Sequence, residues 1–173
     1  MNQKKDASII VTPIYHVPQI LDKSDVTHVI SILGPSDRLP WPDVGARKSL
    51  RLWFDDTQYT SGRLVAPAPQ HIEDMIAFVR DWDGRTSMVI HCRAGSSRSP
   101  ACGWAALAAI GRTDLIHGAW KSFWKPHQGC LRIADSLISP NPGLVDLAQS
   151  VPVPTRTDEW GPVRIPLNAP AGT

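Results

Sequence analysis

The stretch "VIHCRAGSSRSP" (89–100) passes from buried strand to reactive loop within four positions. Upstream, "TSMVIH" (86–91) is a short apolar run that reads as a buried strand. Downstream, "SPACGWAALAAIG" (99–111) reads as a helix, with Pro100 in the first turn, where a missing N–H costs least, and Gly111 as its stop. A strand that drops through a tight small-residue loop into a helix is the turn of an α/β unit. In such sheets the reactive crevice lies at the carboxyl ends of strands. Cys92 falls at that place.

Working outward, "ASIIVTP" (7–13), "THVISIL" (27–33) and "SLRLWF" (49–54) read as further strands, each rich in β-branched or alternating apolar residues. "PQILDKSD" (18–25) holds one or two helical turns. "GPSDRLPWPDVGARK" (34–48) is loop, broken by prolines and glycines. "PQHIEDMIAFVRDWDG" (69–84) is the clearest helix, with Ile72, Met75, Ile76, Val79 and Trp82 at three- and four-residue spacing. Residues 113–127 predict another helix, broken at Pro126, and 141–151 a last one. Strands separated by helices predict a single α/β domain, a central and largely parallel sheet flanked by helices, over residues 1–151. Residues 152–173 are expected to form a Pro-rich tail, extended or partly disordered, laid against the body through Trp160.

Composition narrows the function classes. Hydrophobic content of 42% and charged content of 20% describe a soluble globular chain. A net charge of +2, with no basic run, gives no reason to expect a nucleic-acid or membrane partner. The apolar run in "MNQKKDASIIVTP" is too short for a signal peptide. No segment approaches the roughly 20 apolar residues of a membrane span. Three widely spaced cysteines, Cys92, Cys102 and Cys130, predict reduced thiols and a cytoplasmic location. No ligand spacing predicts a metal or other cofactor.

The loop itself carries chemistry. A thiol attacks only as the thiolate, and three features here favour that anion. The loop leads into a helix N-terminus, whose free N–H groups and dipole attract negative charge. Arg93, Ala94, Gly95, Ser96 and Ser97 are mostly small, so consecutive backbone N–H groups can turn inward as an anion nest. Arg98 adds a permanent cation, whose planar fork suits two oxygens of a tetrahedral dianion. A phosphate held there would present its phosphorus to Cys92, giving a cysteinyl phosphate for water to release.

His91-Cys92, five residues, then Arg98-Ser99 resembles the signature HCxxGxxR[ST] of the cysteine-dependent protein tyrosine phosphatases, and every signature position is met. Chain length and the segments "THVISIL", "IAFVRDWD" and "PNPGLVDLA" are similar to the compact dual-specificity branch and its small bacterial relatives, over about residues 9–148. The resemblance implies a phosphomonoester hydrolase acting on phosphotyrosine, without cofactor or metal, whose partner is a phosphorylated protein or small phosphomonoester. It implies an aspartic acid on a separate loop as general acid. "LWFDDTQ" offers two, and Asp56, followed by Thr57, matches better than Asp55. Ser99 matches the hydroxyl that assists the departing sulfur, and His91 the residue that orients the loop from below.

Two readings stay beside this one. The same chemistry serves phosphoinositide or inositol phosphate substrates, although relatives with that preference tend to carry lysines where Ser96 and Ser97 stand. A phosphate-binding module without catalysis is the other. Arg93 is either a solvated arginine or a second contact to an acidic substrate. Cys102 is expected in the core, and His117 and His127 are expected at the surface or internally satisfied. Trp53, Trp82 and Trp104 fall on core-facing positions. Trp41, between two prolines, is the tryptophan expected to be exposed, at the rim of the site.

Overall fold

A computed structural model of the chain describes residues 6–121, 124–151 and 161–169. Five strands form one sheet: β1 (Ser8–Pro13), β2 (Val26–Ile32), β3 (Lys48–Leu52), β4 (Ser87–Cys92) and β5 (Val163–Pro166), in the order β3-β2-β4-β1-β5. β4 lies in the centre, parallel to β1 on one side and to β2 on the other. Its register sets Cys92 beside Pro13 and His91 beside Ser31. A strand covered on both faces has no side for water, and all of Ser87–Cys92 is buried.

The alternation along the strands divides the core in two. Ile9, Val11, Met88 and Ile90 face α2 (Pro69–Arg80), α3 (Arg98–Ala109) and α5 (Gln128–Leu137), while Ile10, Val29 and Val89 pack with Val17 and Leu21 of α1 (Val17–Lys23). Ile72, Met75, Ile76 and Val79 are the buried residues of α2, as its spacing predicts. α3 is buried nearly all round, and its Gly103 lies so close to β1 that a Cβ there would stand 2.8 Å from Val11 Cγ2. The sheet-and-helix architecture anticipated from the sequence is therefore present, with the central strand delivering Cys92 to its carboxyl end.

Four local expectations need correction. The helix expected over 113–127 is only a 3₁₀ turn at Thr113–Leu115 and α4 (Ile116–Ala119); the backbone N–H groups of Lys125 and His127 bond to another loop instead. The residues after it, for which the sequence predicts no element, form α5, which buries Cys130, Leu131 and Ala134 and is followed by α6 (Leu144–Ser150). Trp53 does not face the core. β3 is an edge strand ending at Leu52, and Trp53 beyond it is 48% exposed, with its ring 5.7 Å from that of the half-buried Trp41. Finally, Val163–Pro166 of the tail is an edge strand, antiparallel to β1, continued by the Leu167 N–H donating to Ala7 O at 2.9 Å. Trp160 lies outside the described residues. No described helix is long and apolar enough to cross a membrane.

Candidate active site

The end of β4 and the start of α3 enclose a bowl. At its floor the Cys92 Sγ lies 3.2 Å from the Gly95 N–H, which donates to it, and 3.2 Å from the Ser99 Oγ. Gly95 can make that turn because its φ is +72°; any Cβ would stand 2.5 Å from Pro13 N, so only glycine fits. Beneath, His91 Nε2 meets Ser31 Oγ at 2.7 Å on the neighbouring strand. Burial drives this imidazole down to about 4, so it is neutral and serves as a fixed prop.

Arg98, the first residue of α3, is almost sealed from water. Asp37, which follows β2 in the loop Gly34-Pro35-Ser36-Asp37, receives Nη1 at 2.7 Å and Nη2 at 3.1 Å. Phe54 O accepts a second bond from Nη1 at 3.0 Å. Arg98 Nε is buried and has no hydrogen-bond partner among the described residues. Burial alone would raise the Asp37 carboxyl and lower the guanidinium. The hydrogen bonds between them, together with the Gly34 N–H donating to Asp37, reverse both directions, so the carboxyl sits below its usual range and the guanidinium above. A buried cationic N–H without a protein partner leaves one hydrogen bond that a ligand oxygen could accept.

The two aspartates after Phe54 separate cleanly. Asp55 is buried and takes N–H donors from Ser36 at 2.9 Å and Val65 at 2.8 Å, with the Ser36 hydroxyl as a third. Burial opposes its ionisation but these donors outweigh it, so its carboxyl lies below the usual range and binds two loops together. Asp56 is half exposed and accepts the Ser97 Oγ–H at 2.7 Å, which brings its carboxyl to the rim of the bowl. His127, missed as a site residue, stands behind it, with Nε2 3.8 Å from Asp56 Oδ1.

Gly95 and Ser99 thus converge on the Cys92 sulfur, Arg98 lies within electrostatic reach of it, and Ser97 links the loop to Asp56. Ser96 and Ser97 are half-buried; Arg93 and Ala94 are exposed. Arg93 O accepts the Ile14 N–H at 3.4 Å, fixing the loop to the turn after β1. Cys102 and Cys130 are both fully buried, and burial pushes the Cys130 thiol above its ordinary range. Asp37 also escaped the sequence reading. Its signal was position: a carboxylate just past the carboxyl end of a strand neighbouring β4.

No protein-family model matches the sequence, and no curated protein does. Solved structures do. Human DUSP28 superposes with a TM-score of 0.58 at 15% identity, over 82% of this chain and 95% of that one. DUSP15 gives 0.51 at 18% identity, over 83% and 92%. PTPMT1, solved in complex with PI(5)P, gives 0.52 at 14% identity, over 81% and 92%. The chain has the compact fold of the dual-specificity phosphatases.

Proposed function

We propose that this chain is a phosphomonoester hydrolase working through a cysteinyl-phosphate intermediate, and that its substrate is phosphotyrosine in protein. The observation that carries the reading is the convergence on one sulfur: Cys92 Sγ meets the Gly95 N–H and the Ser99 hydroxyl at the start of the helix that opens at Arg98, whose buried Nε has no partner among the described residues.

In the first step the Cys92 thiolate attacks phosphorus and the P–O ester bond breaks. Asp56 gives its proton to the departing oxygen. The Gly95 N–H, with the other backbone N–H groups of residues 93–97 and the Arg98 guanidinium, would hold the equatorial oxygens, where charge gathers. In the second step water attacks the phosphocysteine, Asp56 takes a proton back, and sulfur leaves as thiolate with the Ser99 hydroxyl donating to it. His91 orients the loop, and no metal or cofactor enters. Arg93, exposed beside the bowl, is a second contact for acidic substrates. Cys92 must stay reduced, which fits a cytoplasmic setting. Neutral Ser96 and Ser97 favour a phosphoprotein over an inositol phosphate.

The test is phosphate release from phosphotyrosine, phosphoserine and inositol phosphate substrates, with Cys92→Ser as control. Turnover of phosphotyrosine that disappears in Cys92→Ser while phosphate still binds is the expected result. Substantial activity in Cys92→Ser removes the nucleophile, and preference for the inositol substrates replaces the substrate class.

A further inference from the structure

His127 occupies the seam between the two loops on which the proposed chemistry depends. Its main-chain N–H donates to Ser97 O at 3.1 Å, engaging the phosphate loop. Its Nδ1 accepts the Cys130 N–H at 3.3 Å and so closes the first turn of α5. A nitrogen that accepts holds no proton in the neutral ring, which leaves the proton on Nε2. Burial keeps the imidazole below its ordinary range, favouring that neutral form. Nε2–H in turn donates to Thr57 O at 3.0 Å and lies 3.8 Å from Asp56 Oδ1.

We propose that His127 is a positioning residue: through Nε2–H and Thr57 O it holds the Asp56 loop over the phosphate loop, so that the acid's proton meets the leaving oxygen. This rests on the reading of Asp56 as general acid. The bland alternative is that His127 only caps a helix. The two jobs use different ring nitrogens, and that makes them separable. Asparagine keeps an acceptor at the Nδ1 position and is a good N-cap, but its amide stops short of Thr57. Glutamine reaches as far as Nε2 and gives up the cap.

The experiment compares His127→Asn and His127→Gln with wild type in three measurements. These are melting temperature, kcat and KM on a phosphotyrosine peptide beside an aryl phosphate with a highly activated leaving group, and amide hydrogen exchange over residues 56–60. In His127→Asn the melting temperature should stay near wild type. Its kcat on the peptide should fall about tenfold more than kcat on the activated substrate, with KM little changed, because only a poor leaving group needs an aligned acid. Exchange over 56–60 should accelerate. His127→Gln should restore part of the peptide kcat while melting earlier. Equal losses on both substrates, or unaltered exchange in His127→Asn, overturn the proposal. If wild type releases no phosphate at all, the phosphatase reading fails and exchange alone decides. Acceleration in His127→Asn that His127→Gln suppresses keeps the positioning role, and any other pattern ends it.

Discussion

Asp37 grips both terminal nitrogens of Arg98, at 2.7 and 3.1 Å, across a sequence separation of 61 residues. The pair joins the loop after β2 to the first residue of α3, and it leaves Nε as a buried donor without a partner among the described residues. A guanidinium on a long side chain has many rotamers, and two hydrogen bonds to one carboxylate remove most of them. Asp37 thereby does for Arg98 what Ser31 does for His91. Each residue flanking the sulfur is held by a partner on or just beyond β2.

Asp37→Asn should lower stability by about 3 kcal/mol, because it leaves a buried guanidinium without its counter-ion. The amide can still accept one of the two bonds, so the protein should fold. Phosphate affinity should fall as Arg98 regains rotamers. Urea unfolding and phosphate titration measure the two effects; a loss under about 1 kcal/mol with unchanged phosphate affinity would show that the pair holds neither fold nor bowl.

Gly95→Ala places a methyl group into Pro13 at a residue already at φ +72°. Such strain costs on the order of 1–3 kcal/mol, and the cheapest relief is to open the loop. Opening carries the Gly95 N–H away from Cys92 Sγ. The expected variant folds, melts earlier, and loses both phosphate binding and the reactivity of Cys92 toward iodoacetamide at neutral pH. Full retention of that reactivity would sink the link between Gly95 and the sulfur.

The sheet and the bowl were legible because their signals are local. Buried parallel strands are continuous apolar runs, and the turn from Cys92 to Ser99 is contiguous in sequence. Asp37 and His127 were not legible, since each acquires its role from partners far along the chain: Arg98 in one case, Ser97 and Thr57 in the other. Trp53 misled because its bulk suggested core, whereas alternation along the strand turns Leu52 and Phe54 inward and leaves Trp53 on the outer face with Arg51, 48% exposed beside Trp41. α5 was hidden by Gly129 in its first turn, a residue that normally argues against helix. There the His127 ring, which no propensity scale anticipates, supplies the cap.

His91 makes stability depend on pH. Its value in the folded chain is about 4, below the ordinary 6.5, so folding favours the neutral ring. The sign follows: the contribution is whole above pH 6.5, shrinks as pH falls, and is gone below about 4. At most this amounts to about 3 kcal/mol, at 1.36 kcal/mol per unit. Denaturation midpoints should therefore drop between pH 6.5 and 4 in wild type. His91→Gln should be weaker at neutral pH and flatter across that interval. An equally steep decline in His91→Gln would assign the effect to other groups.

Asp55 and Asp56 are adjacent, yet their substitution should give opposite phenotypes. Asp55 is sealed among the N–H groups of Ser36 and Val65, and its ionised form is stabilised there, so it has no proton to give at neutral pH. Asp55→Asn replaces one acceptor oxygen with a donor that faces other donors, which should destabilise the fold by about 2 kcal/mol. Asp56 lies at the rim, bonded to the Ser97 hydroxyl, and is half exposed, so its amide variant should unfold like wild type. Its defect should appear in catalysis: a loss of about 10²-fold or more on a phosphotyrosine peptide and little on an activated aryl phosphate, as for removal of a general acid. Unfolding curves and paired kinetics on both variants read out the contrast. Should Asp55→Asn instead keep its stability and acquire the leaving-group dependence, the proton donor moves one residue toward the N-terminus.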